Sequence, residues 1–552
     1  MSTKSFYERN EITNGGRAFS MSRSTIETAF YGNNVVKKND LSEIYELAKN
    51  ATGTIVTDMP VYKPKEAGLP EDAHVLLFND GETVGRFAGA RVILGEKSVI
   101  EADVAKVLRE AVYNSRYKKM YHVESYIGLD EDFMIKANLL IPETYENTML
   151  NWLINFQYRN ESYDSMYKKS KPIGDEPDIL VYSDPDYKHP KYPDGLAYFD
   201  PEHNCACLLG MRYFGEHKKG TLTLAWGIAN RNRYASCHGG LKKMVRKDGQ
   251  KYVLGVFGLS GSGKSTLTHA KHDNKYDVTI LHDDAYIIST DNGSTVALEP
   301  SYFDKTQDYP LTSDDNKFLL TVQNCGATLD KDGKKVIVTE DIRNGNGRAI
   351  KSKIWAPNRV DKMSEPINAI AWLMKDSSLP PVVKINDSIM ASVMGACLAT
   401  KRTSAEKLAD NVDKDALVFE PYANPFRTYP LSEDYNKFKE LFENSGVDCY
   451  IINTGHFLEK KIPKEVTIGI IDAIVDETAK FKNFGPISEV QFMEIDGFVP
   501  DFSDEEYRKL LKRQMEGRYG FIDSREEFKG GRDALPNEAK EKLEEVTLKF
   551  ME

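Results

Sequence analysis

Tyr252-Val253-Leu254-Gly255-Val256-Phe257-Gly258-Leu259-Ser260-Gly261-Ser262-Gly263-Lys264-Ser265-Thr266-Leu267 is the stretch that decides the fold. Its first six residues form a short apolar run rich in strand formers, the pattern of a buried strand. From Ser265 onward the sequence starts a helix. Between the two, Gly258 to Ser265 matches G-x-x-x-x-G-K-[S/T] in full. Glycines let consecutive backbone N–H groups turn inward around phosphate oxygens, a conformation that side chains would obstruct. Lys264 supplies positive charge to the β- and γ-phosphates, and the Ser265 hydroxyl can ligate Mg²⁺. The helix that follows aims its positive N-terminal end at the same anion. A glycine-rich turn can meet this pattern by chance, but a strand before it and a helix after it favour the phosphate loop. Val278-Thr279-Ile280-Leu281 reads as the next buried strand and ends directly in His282-Asp283-Asp284. That is where phosphate-loop proteins place a metal-binding carboxylate, so Asp283 and Asp284 are candidates. Strand, loop, helix, strand opens an α/β nucleotide-binding unit.

Working outward, 552 residues exceed one ordinary hydrophobic core, so at least two domains are expected. The division is placed at 232/233, with an N-terminal substrate-binding half and a C-terminal nucleotide-binding half. Asp178 to Ser183 reads as a buried strand, followed by a loop rich in Pro, Asp and Tyr through Asp200. Asp103 to Tyr113 has apolar residues at helical spacing, Asp40 offers a helix start, and a last helix begins at Pro536. A net charge of −11 argues against a dedicated nucleic-acid binder, because affinity for a phosphate backbone needs a basic surface. No apolar run approaches the ~20 residues that span a bilayer. Met1 to Arg23 is polar and lacks the apolar core of a signal peptide, which makes the cytoplasm the expected compartment. Six cysteines without a Cys-x-x-Cys read as reduced, buried thiols.

Upstream of the loop, Tyr213-Phe-Gly-Glu-His-Lys218-Lys219-Gly220 sets two lysines side by side, and Ala235-Ser236-Cys237-His238 follows. Alone, the lysine pair reads as a solvated basic turn and the histidine as structural. Together with the loop they resemble the ATP-dependent phosphoenolpyruvate carboxykinases. That family's pattern is Tyr-Gly-Gly-Glu-x-Lys-Lys-Gly, Ala-Ser-x-His, a Gly-Leu-Ser-Gly-Thr-Gly-Lys-Thr-Thr loop and Gly-Asp-Asp, in the same order. Glu299-Pro-Ser-Tyr-Phe-Asp-Lys305-Thr306, Asn346-Gly-Arg348, Leu379-Pro380-Pro381-Val382, Asn453-Thr454-Gly455 and Ile470-Ile471-Asp472-Ala473-Ile474 extend the likeness, as does Gly85-Arg86.

The resemblance implies a two-domain α/β carboxykinase fold with the active site in the interdomain cleft. It implies Mn²⁺ on Lys219, His238 and Asp284, and Mg²⁺ travelling with ATP on Ser265. An amine ligates a metal only when neutral, so Lys219 would need a pKa well below ~10.4. The implied reaction is reversible: oxaloacetate and ATP give phosphoenolpyruvate, CO₂ and ADP. Arg348 and Lys264 would spread charge on the transferring phosphoryl group, with Lys218 near it. Arg86 would clamp the organic acid and Tyr213 would stack beside it. Glu299, Lys461, Thr467 and the residues from Gly258 to Thr266 would hold the nucleotide. The enzyme is expected to act as a monomer without nucleic acid or membrane.

Several positions depart from the family pattern. Gly239-Gly240-Leu241-Lys242 stands where the family has Cys-Ser-Ala-Asn, and Lys461 where arginine is expected. Gly85-Arg86 lacks the family's following Ser-Pro-Lys-Asp-Lys, so Arg91 is an alternative clamp. The first ~80 residues match nothing in the family. A kinase on the same fold with another acceptor, and a non-catalytic nucleotide sensor, would use the same loop. What separates them from a carboxykinase is whether Lys219, His238 and Asp284 serve one metal.

Overall fold

Alternation along the strand Lys251–Phe257 sends Leu254 and Val256 to one side of its sheet and Phe257 to the other. The computed structural model describes residues 1–13, 15–81, 85, 87–96, 99–259, 261–339, 346–401 and 417–549. They form a mixed α/β chain that divides into two units: 1–228 with 296–357, and 229–295 with 358–552.

In the second unit, Lys251–Phe257 runs parallel to Ala369–Met374, which runs parallel to Asp448–Asn453. Tyr234–Val245 pairs antiparallel with Lys251–Phe257, and both Asp277–His282 and Ala285–Ser289 pair with Tyr234–Val245. On one face Leu254, Val256, Ala369 and Ala371 pack with Ile470, Ile471 and Ile474 of the helix Lys464–Val475. On the other face Phe257 and Trp372 meet Phe438 of the helix Leu431–Asn444, which stacks on Tyr422 at 4.7 Å. The phosphate loop therefore leaves the C-terminal end of a strand buried on both faces, where α/β sheets bind ligands.

The first unit has an eight-stranded sheet in the order Val35–Lys37, Met120–Asp130, Phe133–Pro142, Ile179–Asp184, Cys205–Leu209, Leu196–Asp200, Arg91–Ile93, with Gln157–Tyr158 beside Met120–Asp130. Its second sheet runs Tyr302–Lys305, Arg348–Lys351, Leu319–Gln323, His74–Phe78, Ile55–Pro60.

The second sheet corrects the division at 232/233. Leu319–Gln323 pairs with His74–Phe78, so the hydrogen-bond ladder draws 296–357 back into the first unit. It also gives structure to the first 80 residues, which supply two of its strands. Two local readings change as well. Leu196–Asp200 is a buried strand inside the stretch read as loop. The lysine pair read as a turn lies in the helix Phe214–Arg231, with Lys218 fully buried.

Other expectations hold. Asp40 caps the helix Leu41–Asn50 by accepting from the backbone N–H of Ser42 and Glu43. The helices Glu101–Ser115 and Asn537–Lys549 and the strand Ile179–Asp184 form where the sequence placed them. All six cysteines are buried. Among the described residues no helix is long and apolar enough to cross a membrane.

Candidate active site

The phosphate loop is shaped by glycines that no other residue replaces. Gly261 and Gly263 have φ of +76° and +92°, and nothing lies within 4 Å of where their Cβ atoms would be. Such backbone favours glycine, and the open side is where an anion approaches. The Ser262 N–H donates to the Leu259 carbonyl at 3.0 Å, closing the turn. Ser265 and Thr266 are exposed, as hydroxyls meant for a ligand must be. The helix after the loop, Lys264–Thr268, has five residues and is shorter than its sequence suggests. Its dipole is correspondingly small, so loop N–H groups and Lys264 carry more of the anion attraction. Ser260 lies outside the described residues.

Lys264 Nζ stands 3.8 Å from Asp284 Oδ1, and His238 Nε2 stands 2.9 Å from the same oxygen. His238 comes from the strand Tyr234–Val245, and Asp284 from the turn after Asp277–His282. His238 Nδ1 lies 2.5 Å from the Ala423 carbonyl, which accepts only, so this nitrogen carries the proton. Its Nε2 faces a carboxylate oxygen at 2.9 Å, a contact that a second ring proton or a shared cation satisfies. The donor set therefore fits a divalent ion, oriented by a backbone carbonyl behind the imidazole. Next to it, burial would raise the Asp283 carboxyl, but His269, His282 and Lys264 together hold it well below the usual range. Among the described residues no three His, Cys, Asp or Glu side chains cluster as a metal site, and a Lys–His–Asp set has only two of those types.

A cavity of about 550 Å³ opens beside the loop. Gly261, Gly263 and Thr266 line one side, and Lys375, Lys461 and Thr467 line the other. Of the three residues expected at the nucleotide outside the loop, Lys461 and Thr467 line this cavity and Glu299 does not.

The chain matches the phosphoenolpyruvate carboxykinase family over residues 91–495. It belongs to the ATP-dependent branch of that family. Curated relatives are distant. The chain is similar to the ATP-dependent phosphoenolpyruvate carboxykinase of Aeropyrum pernix, 27% identical over 61% of this chain and 70% of the relative. It is similar to the glycosomal enzyme of Trypanosoma brucei brucei, 24% identical over 66% and 77%. The Neurospora crassa enzyme is 23% identical over 79% and 73%.

Other residues of the carboxykinase pattern fall in the first unit. Lys218 Nζ is 3.0 Å from Glu299, both side chains are fully buried, and Glu299 also accepts from Asn155 Nδ2 at 2.7 Å. Lys219, next on the helix, is half-buried, its Nζ 5.8 Å from the Trp226 ring. Tyr213 is buried, which raises its hydroxyl pKa, and Arg348 opposes the rise from hydrogen-bond range. Arg91 is 7% exposed, stacked on Phe199, 3.4 Å from Glu216 and donating to Thr223 Oγ1 at 2.7 Å. Its guanidinium is thus committed inside the unit. Arg86 lies outside the described residues.

The family departure at Gly239-Gly240 has a steric reason. A Cβ on Gly240 would stand 1.9 Å from Thr268 Oγ1, and one on Gly239 would stand 2.8 Å from the Val256 carbonyl. Gly240 lets the loop's helix settle directly on the strand that carries His238, and Gly239 makes room for the paired strand Lys251–Phe257. Gly240→Val is expected to cost about 1–3 kcal/mol by overpacking. Thermal denaturation with and without MgATP measures this, and an unchanged midpoint would refute the packing argument.

Two contributors escaped the sequence reading. The Ala423 carbonyl that orients His238 leaves no side-chain signal; Tyr422 and Ala423 both have positive φ, at 51° and 54°. Lys375 had a usable signal, being the residue after a buried strand parallel to the loop's own strand.

Proposed function

We propose that this chain converts oxaloacetate and ATP reversibly into phosphoenolpyruvate, CO₂ and ADP, with His238 and Asp284 holding the catalytic divalent ion. The observation that carries the reading is the His238–Asp284 pair, imidazole nitrogen and carboxylate oxygen 2.9 Å apart with Lys264 of the phosphate loop 3.8 Å from the same oxygen. Lys219 is assigned to the same ion on the family's Lys-Lys…His spacing, as a neutral amine. Mn²⁺ is the ion assigned there, and Mg²⁺ accompanies ATP on Ser265. Such ions, once bound, supply positive charge at oxygens where negative charge develops.

The protein's own groups do the rest. Loop N–H groups and Lys264 bind and orient the β- and γ-phosphates. Arg86 holds the organic acid while its C–C bond to CO₂ breaks, leaving pyruvate enolate. The enolate oxygen attacks the γ-phosphorus in line, and the bond to the ADP oxygen breaks. Arg348 and Lys264 face the charge that spreads over the transferring group. Glu299, 3.0 Å from Lys218, pairs with that amine near the reacting groups. Thr467, Lys461 and the adjoining cavity receive the base and ribose, favouring ATP. The fold is a two-domain carboxykinase arrangement, and the protein works as a monomer in the cytoplasm.

A coupled assay with oxaloacetate, Mn²⁺, Mg²⁺ and either ATP or GTP tests this. Phosphoenolpyruvate is expected with ATP, at a rate that collapses without Mn²⁺. Nucleotide hydrolysis without phosphoenolpyruvate would point to a kinase-like acceptor instead.

A further inference from the structure

Lys242, which stands where the family pattern has asparagine, is fully buried on the strand Tyr234–Val245. Lysine is almost never buried without partners. Its Nζ lies 2.6 Å from the carbonyl oxygen of Leu267, in the helix that continues the phosphate loop, and 2.6 Å from His272 Nε2. His272 Nδ1 in turn lies 2.6 Å from Asp472 Oδ1. Amine, imidazole and carboxylate thus stand in line, brought from three distant segments. The turn presenting the imidazole is strained, since His272, Asp273 and Asn274 have φ of 51°, 50° and 58°. Three successive non-glycine residues in the left-handed region persist only where the surroundings hold them. Here His272 is bonded at both ring nitrogens.

We propose that Lys242, His272 and Asp472 form a proton-sensitive brace beneath the phosphate loop, positioning it and tightening its hold on polyphosphate while the brace carries its proton. The proposal rests on the phosphate-loop reading and deepens it. Nδ1–H of His272 is committed to Asp472, so Nε2 accepts from Lys242, which also donates to Leu267. This pattern works for a charged or a neutral amine, and only the charge differs. Burial pushes the Lys242 amine down to about 7, with Asp472 opposing. Burial, then the Lys242 charge, lowers His272 too, against Asp472. Two protons on so close a pair repel, so it takes up one near neutral pH.

The other charged neighbours are already paired. Lys275 bonds Asp476, and Tyr276 donates to Asp476 Oδ1 at 3.0 Å and to the Asp472 carbonyl at 3.2 Å. The strand partners of Lys242 on either side, Leu254 and Ile280, are apolar. The charge on Lys242 is therefore the variable beneath the loop. Below about pH 7 the amine is charged and attracts polyphosphate; above it the attraction is lost.

Calorimetric titration of the full chain with MgATP from pH 6 to 8.5, in buffers of two ionisation enthalpies, tests this. For the wild type, Kd is expected to rise about fivefold more across that range than for Lys242→Asn or Lys242→Met, the weight of one buried charge near a polyanion. The wild type should also take up more protons on binding near pH 7. Equal profiles and equal proton uptake in variants with wild-type circular dichroism would overturn the proposal. If neither variant folds, the wild type decides alone. Uptake near pH 7 beyond that of the nucleotide supports the brace, and its absence overturns it. Binding is read without turnover, so a protein that binds MgATP but makes no phosphoenolpyruvate still tests the brace. One that never binds MgATP refutes the phosphate loop instead.

Discussion

Lys264→Ala is expected to lower kcat for phosphoenolpyruvate formation by about a thousandfold, with the fold intact. Its side chain lies at the start of a five-residue helix, 14% exposed and outside the hydrophobic core. What is lost is a cation aimed where charge grows as the γ-phosphoryl group leaves ADP. That interaction is stronger in the transition state than in the ground state, so kcat falls more than KM rises. Lys264→Arg restores charge without the compact ammonium and is expected to recover less than about a tenth of the loss. Steady-state kinetics beside circular dichroism checks both variants. A variant retaining more than about a tenth of wild-type kcat would remove Lys264 from the chemistry.

His238→Ala is expected to cost about a hundredfold to a thousandfold in kcat/KM and to raise the Mn²⁺ concentration needed for half-maximal rate. The imidazole is held from behind by the Ala423 carbonyl, and Phe426 packs edge-on against it at 5.4 Å. Its orientation is thus fixed before any ion arrives. With the ring gone, the Lys264 amine, 3.8 Å from Asp284, can close on the carboxylate instead of on phosphate. A rate assay across a Mn²⁺ series measures the effect. An unchanged half-saturating concentration would mean that His238 holds no ion.

Much of this site was readable because each signal was local. The phosphate loop is one continuous stretch, and Asp283-Asp284 follows a strand that its own apolar run announces. Thr467 and Lys461 were found by family pattern, and the cavity beside Gly261 and Gly263 accommodates them. What escaped depends on partners remote in the chain. Nothing in the sequence of Leu319–Gln323, a strand buried along its whole length, says that it lies beside His74–Phe78. A Lys-Lys pair reads as solvated until Glu299 is found against Lys218. Lys242 was a departure without meaning until His272 and Leu267 were seen around its amine. Backbone groups such as the Ala423 carbonyl have no sequence signature at all.

Mn²⁺ binding followed by electron paramagnetic resonance, in the wild type, Lys219→Gln, His238→Gln and Asp284→Asn, asks whether one ion is shared by all three side chains. One tight site in the wild type, weakened about tenfold to a hundredfold in each variant, is the expected result. A Lys219→Gln protein that binds Mn²⁺ as tightly as the wild type would contradict the shared ion and, with it, the carboxykinase mechanism assigned to this chain.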